Sequence, residues 1–350
     1  MTDSVIYDIV STIRMPGWAN NHSGTLSALC VLKQMVKNCQ DFSVIEPWLK
    51  AADTCIRLLE CNGTSAETYL AATQFLKNLV YKSYQYKMIC LKEGVVSKLV
   101  FLLKEHAGGE VISNLSSITA CVMECLPVYQ KCTTTIQNDD LLLVIGALQH
   151  HGTKGVSIVF NCLRTIRYIL SKNKTALDSG YVRALTKQTL LVYSSMYLSR
   201  RYVQMEILKL IRVLTSEHPP TPGASSLDSA IVHQLVRIVH YHPMSSCISA
   251  LACETASACL STKDGSTFVV FASLPAAVAK AHYKRIQKGT RMQPQQCEAM
   301  CQLFQKVTEQ HDPATAQNPL LQYRALVHVL ASSNCSNYEV QAVFEIIRIV

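Results

Sequence analysis

The segment AETYLAATQFLKNLVYK (Ala66–Lys82), followed by Tyr84–Lys92 and then by VVSKLVFLLK (Val95–Lys104), sets the architecture of this chain. In the first segment, apolar side chains recur at steps of three and four residues, which places them on one side of a helix. These side chains are Tyr69, Ala72, Phe75, Leu76 and Leu79. Glu93-Gly94 separates the second segment from the third, and glycine is suited to end a helix in the left-handed conformation. The sequence therefore predicts a unit made of a long helix, a short helix, a glycine turn and a middle helix.

This unit recurs along most of the 350 residues, at a period of about 45. The long segments begin near Gly24, Ala66, Glu110, Gly155, Arg200, Met244, Gln293 and Asn337. Such a period is typical of α solenoids, in which each unit buries its apolar face only against its neighbours. We therefore predict an all-α solenoid of about eight repeats. It is expected to form one domain over residues 1–350, with an N-terminal cap at 1–23 and repeats at 24–350.

The end of the sequence differs from a normal terminal repeat. The chain stops at Glu345–Val350, inside an apolar helical pattern, whereas a terminal repeat should have a polar outer face. The last repeat is therefore expected to be incomplete. Either its final helix packs against another chain of a larger complex, or the sequence is part of a longer protein.

Composition favours a folded, soluble protein of the cytoplasm. Apolar residues make up 49% of the chain and charged residues only 16%, which argues against long disordered tracts. The most apolar runs are shorter than the roughly 18 residues of a membrane span, and the start lacks the basic region of a secretory signal. The 15 cysteines include no Cys-x-x-Cys pair. They are expected to be small buried thiols, not disulfides or zinc ligands.

The segments around QFLKNLV (Gln74–Val80) resemble armadillo repeats. The long helix, the short helix ending at Glu93-Gly94 and the middle helix VVSKLVFLLK look like that repeat's third, first and second helices in succession. The similarity in spacing extends from about Gly24 to Val350, and HEAT-type repeats are the second choice. The resemblance implies a right-handed superhelix that binds extended peptides or partner proteins in the groove of its third helices, which are the long helices here.

One branch of that family fits this sequence poorly. Nuclear import adaptors carry a Trp and an Asn, one turn apart, on successive third helices. Asn78 matches the Asn position, but Gln74 stands where the Trp would be, and the only tryptophans are Trp18 and Trp48. This departure argues against binding of nuclear localisation signals.

The positive charge is concentrated in one stretch. The chain has a net charge of +9, and Lys154–Arg212 alone contains eleven basic and two acidic residues. Arg164 and Lys209 are 45 residues apart, as are Arg167 and Arg212, so each pair is expected at equivalent sites of stacked long helices. We predict a basic ladder that attracts acidic segments and weakens with salt, although the charges could serve solubility alone. The predicted partner-binding groove comprises Gln74, Asn78, Arg164, Arg167, Tyr168, Lys209 and Arg212.

No catalytic or cofactor-binding motif is found. The sequence lacks a phosphate-binding Gly-x-x-x-x-Gly-Lys-Ser/Thr loop, a Gly-x-Ser-x-Gly elbow and a His-Glu-x-x-His helix. The pairs His150-His151 and His240 and His242 stand out, and the second pair falls at the end of an expected middle helix, where a positive charge is favoured without any metal. We therefore predict no catalytic residue, no metal, no cofactor and no enzyme activity.

These observations predict a non-catalytic scaffold or adaptor that binds a protein partner with acidic segments along the groove of the long helices. An alternative is a structural subunit of a cytoskeletal or ciliary assembly, which would use its edges and C-terminus more than its groove. A nuclear transport adaptor ranks lower, as does a nucleic-acid binder, because no nucleic-acid-binding motif is present. No membrane association is predicted.

Overall fold

A computed structural model describes most of the first three quarters of the chain. The described residues are 2–15, 21–61, 64–106, 108–126, 138–172, 180–216 and 229–260, together with ten separate residues between 274 and 303. These segments contain α helices, turns and bends, and no β-strand. The predicted all-α class is therefore confirmed for this part of the chain.

Thirteen α helices are found within the described segments. They are α1 (Thr2–Arg14), α2 (His22–Asn38), α3 (Glu46–Glu60), α4 (Ala66–Lys82), α5 (Tyr84–Lys92), α6 (Val95–Glu105), α7 (Gly109–Met123), α8 (Asn138–His151), α9 (Val156–Lys172), α10 (Gly180–Met196), α11 (Arg201–Ser216), α12 (Ser229–Tyr241) and α13 (Ser246–Leu260).

Local signals explain where the central helices begin and end. Ser65 accepts a hydrogen bond from the backbone N–H of Thr68 at the start of α4, and Ser83 accepts one from Tyr86 at the start of α5. Each serine satisfies a backbone donor that has no partner within its own helix. Gly94 lies between α5 and α6 with φ of 69°, in the left-handed region that the sequence predicted.

Two glycines allow a matched test of this backbone geometry. An added Cβ meets no atom within 4 Å at either Gly94 or Gly146. Gly94→Ala should destabilise the protein by about 1 kcal/mol, because alanine resists the left-handed conformation. Gly146 lies inside α8, so Gly146→Ala should stabilise it by up to about 1 kcal/mol. Urea titration of both variants measures these changes, and shifts of the same sign would contradict this account.

The chain divides into two compact units, Met1–Ala176 and Leu177–Val350. In the first unit, the long helices pack in sequence order: α2 against α4, α4 against α7, and α7 against α9. We call these four helices the long-helix row. The helices α1, α3, α6 and α8 form a second row, in which α1 packs on α3 and α6 on α8. The rows are joined because α3 packs on α4, α6 on α7 and α8 on α9.

The second unit shows the same alternation over a shorter described length. Helix α11 packs against α13, and α10 packs against α12. The two pairs are joined by contacts of α10 with α11 and of α12 with α13. Packing between alternate helices of the chain is thus common to both units.

Aromatic and aliphatic side chains fill the core of the first unit. Phe75 of α4 is fully buried, and its ring stacks on that of Trp48 in α3 with centroids 6.5 Å apart. The ring of Phe42 also contacts that of Trp48, with centroids 5.5 Å apart. Each of the predicted stripe residues Phe75, Leu76 and Leu79 is buried by at least 99%. The apolar side of α4 is therefore the side that joins the two rows.

Several expectations lie outside the described residues. They include the long segments that begin near Gln293 and Asn337 and the apolar C-terminal pattern at Glu345–Val350. The expectation of a single domain over the whole chain likewise stays a prediction.

Candidate partner-binding face

The long-helix row of the first unit presents a polar surface, which we call the long-helix face. In α4, Gln74, Asn78 and Tyr81 recur at steps of four and three, while the neighbouring Phe75 and Leu79 are buried. Because residues at this spacing share one side of a helix, the polar groups align. The members of the face are Lys33, Gln74, Lys77, Asn78, Tyr81, Ser113, Asn114, Ser117, Ser157, Arg164, Arg167 and Tyr168.

Hydrogen bonds between side chains join α2, α4 and α7 across this face. The ammonium group of Lys33 donates to Oε1 of Gln74 at 3.1 Å. That of Lys77 donates to Oδ1 of Asn114 at 3.2 Å, and the amide of Asn114 donates to Thr73 at 3.3 Å. Asn114 is only 5% exposed, and both ends of its side-chain amide are bonded to residues of α4. These bonds hold the polar groups of the face in place.

A second set of polar contacts continues the face from α7 to α9. The hydroxyl groups of Ser113 and Ser157 lie 3.0 Å apart. Arg164 forms a salt bridge with Glu124 at 3.0 Å, and its guanidinium lies 5.4 Å from the ring centroid of Phe160. The side chain of Arg164 is only 19% exposed, so it is held against the surface and does not extend freely into solvent.

Tyrosines add aromatic surface to the same face. Tyr81 is 56% exposed, and its hydroxyl lies 2.9 Å from that of Ser117. The guanidinium of Arg167 lies 4.3 Å from the ring centroid of Tyr168, a cation–π geometry that orients both groups. Five of the seven predicted groove residues therefore lie on two long helices of one unit: Gln74 and Asn78 on α4, and Arg164, Arg167 and Tyr168 on α9.

The other two predicted groove residues belong to the second unit, on α11. Lys209 forms a salt bridge with Glu206 at 2.7 Å, and Arg212 forms one with Glu254 of α13. Sequence counting placed only two acidic residues in Lys154–Arg212, but folding brings Glu124 and Glu254 to this stretch from outside it. Arg164, Lys209 and Arg212 of the ladder are therefore each paired with a carboxylate. The register of Arg164 with Lys209, and of Arg167 with Arg212, involves both units and stays a prediction.

A group of lysines near α4 was missed by sequence reasoning. Helices α2, α4 and α5 contain one acidic residue, Glu67, and six basic ones: Lys33, Lys37, Lys77, Lys82, Lys87 and Lys92. The intervening α3 contains Glu46, Asp53 and Glu60. Charges of both signs therefore alternate along the sequence, and the excess of lysines on α2, α4 and α5 is not visible in it. Counting the charges of each predicted helix, instead of those of a continuous stretch of sequence, would have revealed this group of lysines.

A pocket of about 400 Å³ opens beside α2. It is lined by Val31, Gln34, Met35, Asn38, Cys39 and Trp48. Val31 is 47% exposed, so the apolar side of this pocket is in contact with solvent. The pocket mixes apolar and amide side chains and carries no charged group.

Cys162 and Cys253 are each 1% exposed. Burial raises the pKa of Cys162 and of Cys253 to about 12, so both thiols stay protonated at neutral pH. Within the described segments, no group of three or more His, Cys, Asp or Glu side chains is placed to hold a metal ion. In the same segments, no helix has both the length and the apolar character needed to cross a bilayer.

No protein-family model matches this chain, and no curated protein is similar to it at a significant level.

Proposed function

We propose that this protein is a non-catalytic scaffold that binds an acidic segment of a partner protein along the long-helix face. The observation that supports the proposal is the set of cross-helix hydrogen bonds from Lys33 to Gln74 and from Lys77 to Asn114. Because these groups are already ordered, less conformational entropy is lost when a partner is bound. The proposal includes a cytoplasmic location.

The proposed architecture is an armadillo-like, right-handed α solenoid of about eight repeats, with HEAT-type repeats as the second choice. Its support is the period of about 45 residues together with the packing order of the long-helix row. In such an architecture the long helices line one continuous surface, which suits an extended partner.

Charge is the reason for choosing an acidic partner. Lys33, Lys77 and Arg167 lie on the long-helix face, and α2, α4 and α5 together contain a single acidic residue. A surface of this sign attracts acidic segments and accelerates their association. Exposed tyrosines such as Tyr81 add apolar contact area beside the charges.

The proposal predicts a specific loss of binding on charge reversal. Lys77→Glu combined with Arg167→Glu should weaken binding of a fluorescein-labelled oligoglutamate peptide by about tenfold or more, since both changes place a negative charge against the peptide. Fluorescence anisotropy gives the Kd. Binding to the unaltered protein should also weaken as salt is raised.

A matched control separates this surface from net charge. Lys98 and Lys104 are exposed on α6 of the second row, so Lys98→Glu with Lys104→Glu changes the total charge by the same amount. This control should bind the peptide nearly as well as the unaltered protein. Equal weakening in the two double variants would show that only total charge matters and would remove the long-helix face from the proposal.

A structural subunit of a cytoskeletal or ciliary assembly is the second candidate. The exposed apolar wall of the pocket beside α2, with Val31, favours it because a permanent neighbour would cover such a surface. Purification of the protein with its partners distinguishes the two candidates. A fixed stoichiometry that survives high salt favours the assembly, and salt-sensitive exchange favours the scaffold.

A further inference from the structure

A histidine recurs at the C-terminal end of three middle helices. His106 directly follows α6, His151 is the last residue of α8, and His242 directly follows α12. In each case Nε2 of the ring contacts a backbone carbonyl oxygen near the C-terminal end of the preceding middle helix. The contacts are His106 with Leu59 at 3.1 Å, His151 with Lys104 at 3.4 Å and His242 with Leu198 at 2.7 Å.

The spacing of these contacts follows the repeat. The bonded residues are 47, 47 and 44 residues apart, so each histidine reaches from one repeat to the one before it. The last carbonyl groups of a helix receive no hydrogen bond from within that helix. Here the N–H of a histidine ring donates to one of them. Since a carbonyl can only accept, Nε2 must carry the hydrogen, and Nδ1 of the neutral ring is then a bare acceptor.

The surroundings of the two histidines in the first unit oppose a second proton. His151 is 1% exposed, and its Nδ1 has no hydrogen-bond partner among the described residues. His150 and Lys154 also lie close to this ring and disfavour a positive charge. The half-buried ring of His106 packs on the edge of Tyr69 at 4.7 Å, and its bond to the Leu59 carbonyl and the nearby Glu105 favour a positive charge less than burial opposes it.

We propose that His106 and His151 form an acid-sensitive clasp, which holds the C-terminal ends of α3, α6 and α8 together and loosens when the rings are protonated. A proton on Nδ1 of His151 would create a buried cation whose new donor has no acceptor. The bonded carbonyl and the negative end of the preceding helix favour a positively charged ring. They lie at Nε2, however, which is already protonated, and they offer no acceptor to a proton added at Nδ1.

The direction of the pH dependence follows from burial. Burial lowers the pKa of His106 and of His151, and the hydrogen bonds to the Leu59 and Lys104 carbonyls only partly offset it. The unfolded chain therefore binds protons more readily than the folded one. The contribution of the two neutral histidines to stability is fully present above the free-imidazole pKa of about 6.5, and it is lost as the pH falls below that value.

Hydrogen exchange of the full chain tests the clasp. Protection of amides in the last turns of α3 and α6, corrected for intrinsic exchange, should fall between about pH 7.5 and about pH 5.5. The largest fall in protection expected is about tenfold per histidine, because about pH 5.5 lies one unit below the free-imidazole pKa. The variant His106→Gln/His151→Gln should lose the pH dependence, since the glutamine amide can donate the same bond but does not titrate.

Two further variants keep the test decisive. His22→Gln makes the same change at an exposed histidine of α2, outside the clasp, and should respond to pH like the unaltered protein. If the double variant folds poorly by circular dichroism, His106→Gln alone should still remove the effect at the end of α3, where Leu59 lies. Undiminished acid-induced exchange in the glutamine variants would overturn the proposal.

Discussion

Replacing Phe75 by alanine should destabilise the first unit by about 3–5 kcal/mol, the usual cost of a large-to-small change in a core. The side chain is fully buried, and its ring stacks on Trp48 of the neighbouring middle helix. Removing the ring loses its apolar burial and leaves a cavity where α3 meets α4. The two rows would therefore be weakened at their common core.

Tryptophan fluorescence can measure this loss within the first unit. The chain has two tryptophans, so a Trp18→Phe background leaves Trp48 as the only reporter. Urea titration in that background gives the free energy of unfolding around α3 and α4. Phe101 of α6 is 52% exposed, and Phe101→Ala is the matched control, with an expected change within about 0.5 kcal/mol. Similar losses in both variants would contradict the assignment of Phe75 to the core.

Gln204→Leu should destabilise the second unit by about 2–5 kcal/mol. Gln204 of α11 is fully buried, and its amide donates to the carbonyl groups of Ser194 and Tyr197 at 3.0 and 2.8 Å. Its Oε1 accepts from the Ser194 hydroxyl, which in turn accepts from Gln234 of α12. Leucine has a similar volume but would leave the Ser194 carbonyl without this donor and the Ser194 hydroxyl without its acceptor, and each buried unpaired group costs about 1–3 kcal/mol. The Tyr197 carbonyl would keep its bond from the backbone N–H of Arg200.

The matched control for this change lies on the adjacent helix. Gln188 is exposed on α10, so Gln188→Leu should change stability by no more than about 0.5 kcal/mol. Hydrogen exchange across α10, α11 and α12 reports on the second unit, which contains neither tryptophan. Unchanged protection in Gln204→Leu would mean that this network contributes little to holding the three helices together.

The helices were predictable because their signals are local. The stripe through Phe75, the serine caps at Ser65 and Ser83, and the left-handed Gly94 all act within a few residues. The predicted long helix Ala66–Lys82 coincides with α4 for the same reason. Periodicity and capping depend on neighbours in sequence, so one sequence is enough to read them.

The electrostatics of the candidate site were not predictable in this way. Glu124 meets Arg164, and Glu254 meets Arg212, from neighbouring helices about one repeat away. A count of charges along the sequence assigns those carboxylates to other segments and so overestimates the positive charge of the ladder. The bond from Lys77 to Asn114 is equally hidden, since neither residue type alone indicates a partner 37 residues away.

The packing order of the first unit also affects how the protein can be made. Among the described residues of this unit, side-chain hydrogen bonds between successive helices of one row span only 36 to 47 residues. Each such contact is therefore available once about one more repeat has left the ribosome, and none has to wait for the distant C-terminal part. The cluster of Phe42, Trp48 and Phe75 can form during synthesis, and it then offers a finished surface on which the next pair of helices can dock.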